Sequence, residues 1–115
     1  MVGFIQRKNF IQDLKKDYLL KIVPVYSIFY TPESEDNLAD IFEFISNDNT
    51  FYAAKVLSSI KTTIDILKLF PLSWKLVDKE QRMIVDSNYG YRVIYNVKSN
   101  KIYILSISKY RNLWK

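Results

Sequence analysis

Residues 31–46 read TPESEDNLADIFEFIS and carry the signals of a helix from its first residue to its last. Thr31 can cap the free backbone amides, Pro32 is preset for the first helical position, and Glu33 suits the positive end of the helix dipole. Apolar residues then recur at spacings of three and four: Leu38, Ile41, Phe42 and Ile45. The stretch predicts an amphipathic helix that ends near Ser46.

A second helix follows at once. Residues 47–50, NDNT, supply polar turn chemistry and the next cap. The apolar stripe of this longer helix is Ala53, Val56, Leu57, Ile60, Ile64 and Leu67. Phe70-Pro71 ends it. Two helices joined by so short a loop predict an antiparallel hairpin.

After residue 76 the spacing of apolar residues changes from that of helices to that of β-strands. Segments 82–86, 91–97 and 102–109 are rich in Ile, Val and Tyr, and turn residues separate them at 87–90 and 98–101. Short loops imply antiparallel neighbours, and residues 25–30 form another β-rich run before the first helix. The predicted fold class is α+β: a helical hairpin packed on a twisted, mainly antiparallel four-stranded sheet.

Residues 1–23 form an N-terminal extension to the domain predicted over 24–115. Apolar residues fall near one helical stripe, with Pro24 as the stop: Phe10, Ile11, Leu14, Tyr18 and Ile22. The extension is therefore predicted to be helical. Two interpretations stay open, a real helix that shields part of the sheet and translation from an upstream start codon.

Composition excludes several classes of chemistry. The 115 residues include no cysteine, no histidine and two glycines. Disulfides, the usual zinc and haem ligands, histidine bases, cysteine nucleophiles and glycine-rich phosphate loops are thereby ruled out, so we expect no cofactor and no metal. No apolar run reaches the ~20 residues that span a bilayer, and the N-terminus lacks the order of a signal peptide. We expect a soluble, cytoplasmic protein of one domain with no membrane partner.

The net charge of +5 is unevenly distributed. Residues 75–115 hold nine basic and three acidic residues, whereas residues 31–74 hold three basic and seven acidic residues. A basic C-terminal third beside an acidic middle indicates an anionic partner, either nucleic acid or an acidic protein segment. The alternative is a solvated strand edge on which lysines prevent aggregation.

Arg92 is the first candidate for a functional residue. Alternation in the strand 91–97 places Arg92, Ile94 and Asn96 on the face opposite Tyr91, Val93, Tyr95 and Val97. An arginine within an apolar strand is costly unless it is paired or lies in a cleft, and its planar fork suits a phosphate or carboxylate. The structural alternative is an ion pair with Glu43 or Asp40 of the first helix.

The C-terminus supplies further candidates. Residues 108–115, SKYRNLWK, interleave cations with aromatic rings on which bases could stack, through Lys109, Tyr110, Arg111 and Trp114. Arg82 adds a cation in the same third of the chain. We expect these side chains and Arg92 to form one accessible, positively charged hollow. The alternative is that Trp114 packs on the core and the lysines are solvated.

Several motifs, in order, resemble the RelE/ParE toxin superfamily, and its ParE-like "plasmid stabilization" branch in particular. They are TPESEDNLADIFEFI at 31–45, LKLFP at 67–71, Arg82 leading a strand, GYRVIY at 90–95 and IYILSI at 102–107. The resemblance covers about residues 25–112. It implies the toxin half of a type II toxin–antitoxin system, with an antitoxin whose acidic or amphipathic tail covers the helices and the basic edge.

The resemblance implies two alternative activities. ParE-like members are taken to inhibit DNA gyrase, which requires no bond cleavage. RelE-like members are ribosome-dependent mRNA endoribonucleases, and that activity would assign catalysis to Arg92, Lys109, Tyr110 and Arg111. In both cases Arg82, Arg92, Lys109, Arg111 and Trp114 would contact the target or its phosphates. Lys109 stands where many relatives carry histidine, which weakens a histidine-dependent RNase mechanism, and a degenerate, non-toxic member is a third interpretation.

Overall fold

The computed structural model describes residues 25–109, and the predictions for residues 1–23, Tyr110, Arg111 and Trp114 lie outside this range. The elements are β1 (Ser27–Tyr30), α1 (Pro32–Ser46), α2 (Thr50–Asp65), a 3-10 turn (Ile66–Lys68), β2 (Lys75–Leu76), β3 (Gln81–Asp86), β4 (Tyr91–Lys98) and β5 (Lys101–Lys109). None of the helices described is long and apolar enough to cross a bilayer.

The sheet confirms the predicted fold class and adds one strand to it. Its order is β1-β5-β4-β3-β2, so β5 lies between β1 and β4. β1 pairs with β5 in parallel, and the other pairs are antiparallel. The expected count of four strands was one short, because β2 is only two residues long and leaves little periodicity to detect.

The helix signals act as predicted. Thr31 Oγ1 accepts a hydrogen bond from Ser34 N (3.2 Å), and it donates one to the carbonyl of Ile104 in β5 (2.7 Å). Asn49 Oδ1 caps α2 through Tyr52 N (2.9 Å). The predicted end of α2 differs slightly, because the α-helix stops at Asp65 and a 3-10 turn carries the chain on. Each cap satisfies an amide that the helix leaves unpaired.

The core lies between the helical hairpin and one face of the sheet. Its fully buried members come from α2, the 3-10 turn and three strands: Val56, Ile60, Ile64, Leu67, Ile84, Val93, Tyr95, Ile102, Ile104 and Ile107. Partly buried residues of α1 pack against it, namely Leu38, Ile41 and Ile45. The helices thus cover one face of the sheet.

We call the opposite side of the sheet the outer face. Strand alternation and the pairing register assign to it Phe29 of β1, Met83 and Val85 of β3, Arg92, Ile94 and Asn96 of β4, and Tyr103, Ser106 and Ser108 of β5. All except Phe29 are half-buried. The rings of Phe29 and Tyr103 stack with centroids 5.6 Å apart.

Candidate functional site

Arg92 lies on the outer face, as strand alternation predicted. It is paired across the sheet with Val85 and with Ser108, and its Nη2 donates to Ser108 Oγ at 3.3 Å. Asp40 and Glu43 belong to α1, which packs on the other face, and both are exposed. The guanidinium is therefore placed across the sheet from the carboxylates that the sequence offered as its partners.

Arg82 lies on the helix-facing side, at the end of the sheet where β2 begins. It is paired with the buried Tyr95, and its Nη1 donates to the carbonyl of Trp74 at 2.7 Å. This hydrogen bond ties β3 to the segment that precedes β2. Arg82 therefore stabilises this end of the sheet.

Lys109 lies at the opposite end of the same side. It is paired with Tyr91, its Nζ donates to the carbonyl of Tyr89 at 2.6 Å, and it stands 4.8 Å from the centre of the Tyr91 ring. A backbone carbonyl and an aromatic face both stabilise the ammonium there. Lys109 therefore holds the turn between β3 and β4 to the end of β5.

The three described cations do not share one hollow. Arg92 is on the outer face, whereas Arg82 and Lys109 are on the helix-facing side. Their partners in β4 are Tyr95 and Tyr91, four residues apart, which is about 13 Å along a strand. Within residues 25–109 the expected catalytic grouping of Arg92 with Lys109 does not form.

Asp86 is a residue that the sequence reasoning missed. It is fully buried, accepts hydrogen bonds from Ser59 Oγ (2.5 Å) and Tyr89 N (2.9 Å), and its carbonyl accepts one from Gly90 N (2.7 Å). Asn88 donates to Ser59 Oγ at 2.9 Å. The signal in the sequence was an aspartate three residues before the amide that it caps, which is typical of a tight turn. This network joins α2 to the β3–β4 turn, where Gly90 has a φ of 78°.

The segment 66–77 exposes several large apolar side chains. We call it the apolar segment, and its exposed large side chains are Ile66, Leu69, Phe70, Leu72, Trp74, Leu76 and Val77. Leu69 is 58% exposed and Leu72 57%. A contiguous exposed apolar patch indicates a protein-binding surface. The sequence signal was the run of large apolar residues around Pro71, interpreted above only as the end of α2.

A cleft of about 250 Å³ opens between α1, α2 and β1. Tyr30, Leu38, Leu57 and Ile64 give it an apolar lining, with Glu35 and Lys61 also bordering it. Burial, followed by the charge of Asp65, raises the pKa of the Tyr30 hydroxyl. Such a lining suits an apolar side chain from a partner. Among the described residues no cluster of three or more aspartate or glutamate side chains could hold a metal ion.

Tyr95 anchors the apolar segment to the core. Its ring is fully buried and its hydroxyl donates to the carbonyl of Pro71 at 2.6 Å. Burial raises the pKa of Tyr95 to about 12, although the nearby positive charge of Arg82 acts in the opposite direction. The neutral hydroxyl is therefore the form that the folded protein favours.

We expect this hydroxyl to make the protein sensitive to alkali. The ordinary tyrosine pKa is 10.0, so between about pH 10 and 12 the unfolded chain releases this proton before the folded chain does. The contribution of the neutral Tyr95 hydroxyl to the free energy of unfolding is intact below pH 10 and is lost as the pH rises through 12. Urea unfolding from pH 8 to 11.5 should show a shallower alkaline loss in Tyr95→Phe than in the wild type. An equal loss of stability with pH in the wild type and in Tyr95→Phe would contradict the raised pKa of Tyr95.

The comparisons with known proteins agree with this architecture. A solved structure described as "Chromosomal ParDE TA system from P. aeruginosa" superposes on the chain with a TM-score of 0.68 at 16% sequence identity, covering 76% of this chain and 98% of that one. The helical hairpin on a mixed five-stranded sheet is thus the fold of that structure. No curated protein sequence matches the chain significantly.

The family profile of the "ParE toxin of type II toxin-antitoxin system, parDE" matches residues 28–114. This range covers all the described helices and strands except Ser27, the first residue of β1, and the chain belongs to the ParE toxin family. It is a ParE-like toxin of a type II toxin–antitoxin system, and its partner is a cognate antitoxin.

Proposed function

We propose that this toxin arrests growth in the cytoplasm by inhibiting DNA gyrase through a protein–protein contact, without cleaving a substrate. The observation that carries this proposal is the separation of Arg92 from Lys109 on opposite faces of the sheet. An RNase needs its phosphate-binding and acid–base groups within reach of one phosphodiester. An inhibitor that works by docking needs no such convergence.

The apolar segment is the surface that we propose for the contact with gyrase. It presents large exposed side chains, Lys75 lies within it, and Arg82 is paired with its Leu76. Apolar anchors with a charged rim are the usual composition of a protein interface. A cognate antitoxin would neutralise the toxin by covering or distorting this surface, and the cleft between α1, α2 and β1 would receive one of its apolar side chains.

A supercoiling assay tests the proposal. Purified toxin should inhibit gyrase in a dose-dependent way, and added antitoxin should restore supercoiling. Leu72→Asp should weaken inhibition about tenfold or more, because it places a charge in the centre of the apolar contact. Phe44→Asp is the matched control, since Phe44 is 78% exposed but lies at the end of α1, away from the apolar segment.

The alternative activity has its own outcome in the same experiment. Toxin that leaves gyrase untouched at saturating ratios, but cuts mRNA on programmed ribosomes, would overturn the proposal and establish the RelE-like activity. Toxin inactive in both assays and harmless on expression would indicate a degenerate member. If Leu72→Asp and Phe44→Asp weaken the inhibition of gyrase equally, gyrase is still the target, but the apolar segment is not the surface that contacts it.

A further inference from the structure

The outer face of the sheet has the composition of a covered surface. An antiparallel sheet with one solvated face alternates apolar residues on the inside with polar residues on the outside. β3 and β4 break this rule, because Met83, Val85 and Ile94 face outward while Ile84 and Val93 face the core. Apolar side chains therefore line both faces of these two neighbouring strands, as they do in sheets that lie between two layers.

Asn96 gives a second, independent indication. Its Oδ1 atom is shielded from solvent yet accepts no hydrogen bond from the described residues. A shielded amide oxygen without a donor costs roughly 1–3 kcal/mol, so natural proteins rarely leave one. A group that lies against the outer face would be able to supply this donor.

The described chain enters the sheet at one edge. β1 is the edge strand beside β5, and Ser27 N bonds to the carbonyl of Asn100 at 3.0 Å, which places the entry to β1 at the turn between β4 and β5. Residues 1–24 precede this point. As a helix, residues 1–23 would extend about 35 Å, and the nine residues of β5 extend about 30 Å. The segment is long enough to run the full length of the sheet.

We propose that residues 1–23 of this chain dock on the outer face as an amphipathic helix. The stripe of Phe10, Leu14 and Tyr18 would contact Met83 and Ile94, so that the sheet lies between two helical layers. The carboxylates of Asp13 and Asp17, four residues apart, flank one side of that stripe and are opposite in charge to Arg92.

Docking of this segment gives Arg92 a role within the molecule. Its guanidinium helps to hold the N-terminal helix, and the same contact removes it from any phosphate in solution. Docking of the segment does not depend on which target the toxin acts on, and it can be measured without an activity assay.

The chain contains no cysteine, which allows a direct test with two introduced thiols. The double variant Leu14→Cys, Ile94→Cys, treated with a short bismaleimide, should form a cross-link within one chain. The matched control pairs Lys16→Cys with Ile94→Cys, because residue 16 lies on the opposite side of the predicted helix and should cross-link at least about tenfold less.

Two outcomes would overturn the proposal. One is equal cross-linking of the two pairs, which would show that the segment has no fixed orientation on the sheet. The other is a cross-link that joins only separate chains and disappears on dilution, which would show that a second copy covers the face.

Labelling of a single thiol gives an additional measurement. In Ile94→Cys the thiol should react slowly with a maleimide, and adding Leu14→Asp should raise the rate about tenfold, because a charge in the stripe opposes docking. Adding Lys16→Asp should leave the rate unchanged. Val56→Cys, in the core, reports global unfolding and should stay protected throughout. An unchanged labelling rate at position 94 in the Leu14→Asp variant would contradict the inference. If the labelling rate at position 56 also rises, the variant has unfolded globally, and the ratio of the two cross-linking yields decides instead.

Discussion

Replacing Asp86 with alanine is expected to lower the free energy of unfolding by about 2–4 kcal/mol. The carboxylate is fully buried and accepts hydrogen bonds from Ser59 Oγ and Tyr89 N. Alanine leaves the Tyr89 amide without an acceptor at the β3–β4 turn and cuts the only described hydrogen bond from this strand to α2. Chemical unfolding at pH 7, followed by circular dichroism, measures the loss.

Two further variants separate the charge of Asp86 from its geometry. Asp86→Asn keeps an acceptor for Tyr89 N and can donate to Ser59 Oγ, so it should cost less than alanine. Ser59→Ala removes one hydroxyl and should cost about 1 kcal/mol. A loss as small for Asp86→Ala as for Ser59→Ala would show that the carboxylate is not the centre of this network.

Replacing Ile104 with alanine should lower the free energy of unfolding by about 2–5 kcal/mol, the usual cost of a cavity in a closely packed core. Ile104 is fully buried in β5 and is paired with Tyr30 on one side and Tyr95 on the other. A small domain is stabilised by about 5–15 kcal/mol in total, so the loss is a large share of it. Urea unfolding of the purified variant measures the change.

The controls for this prediction vary size and burial separately. Ile104→Val removes one methylene and should cost about 0.5–1.5 kcal/mol. Phe44→Ala removes a larger side chain, but one that is 78% exposed, and should change stability by no more than about 0.5 kcal/mol. A similar loss in Phe44→Ala and Ile104→Ala would contradict the placement of the core.

Local signals explain how much of the fold could be predicted. Thr31 and Asn49 cap their helices through their own side chains, and the apolar stripe of α2 is the one that is buried. These features depend on residues within a few positions of each other. β2 escaped prediction because two residues carry no period, and it exists only because Lys75 and Leu76 pair with β3.

The face on which Lys109 lies could not be predicted for a different reason. Strict alternation over 102–109 would place Lys109 opposite Ile102 and Ile104, on the same face as Arg92. The register shifts between Ile94 and Tyr95, where Leu105 is the extra residue in β5. This β-bulge reverses the alternation, so Ile107 and Lys109 join Ile104 on the helix-facing side. Asn37 Oδ1 accepts from Ile107 N just beyond it, at 2.8 Å.

The candidate site was therefore predicted residue by residue but not as an arrangement. The position of Arg92 followed from its own strand, whereas its relation to Arg82 and Lys109 depends on pairings with other strands. Asp86 and the apolar segment were missed because a buried turn carboxylate and an exposed apolar surface are both tertiary properties. The local signals, an aspartate before a turn and a run of large apolar residues around Pro71, do not by themselves reveal that the carboxylate is buried or that the apolar side chains are exposed.

The parallel pairing of β1 with β5 has a consequence for biosynthesis. Thr31 bonds to Ile104 across 73 positions of sequence, and β1 has β5 as its neighbour in the sheet. A contact of such long range forms late and slowly, because the intervening chain has to be ordered first. On the ribosome, β1 must wait until β5 has left the exit tunnel. The sheet of the nascent toxin therefore stays incomplete until its last described strand has emerged.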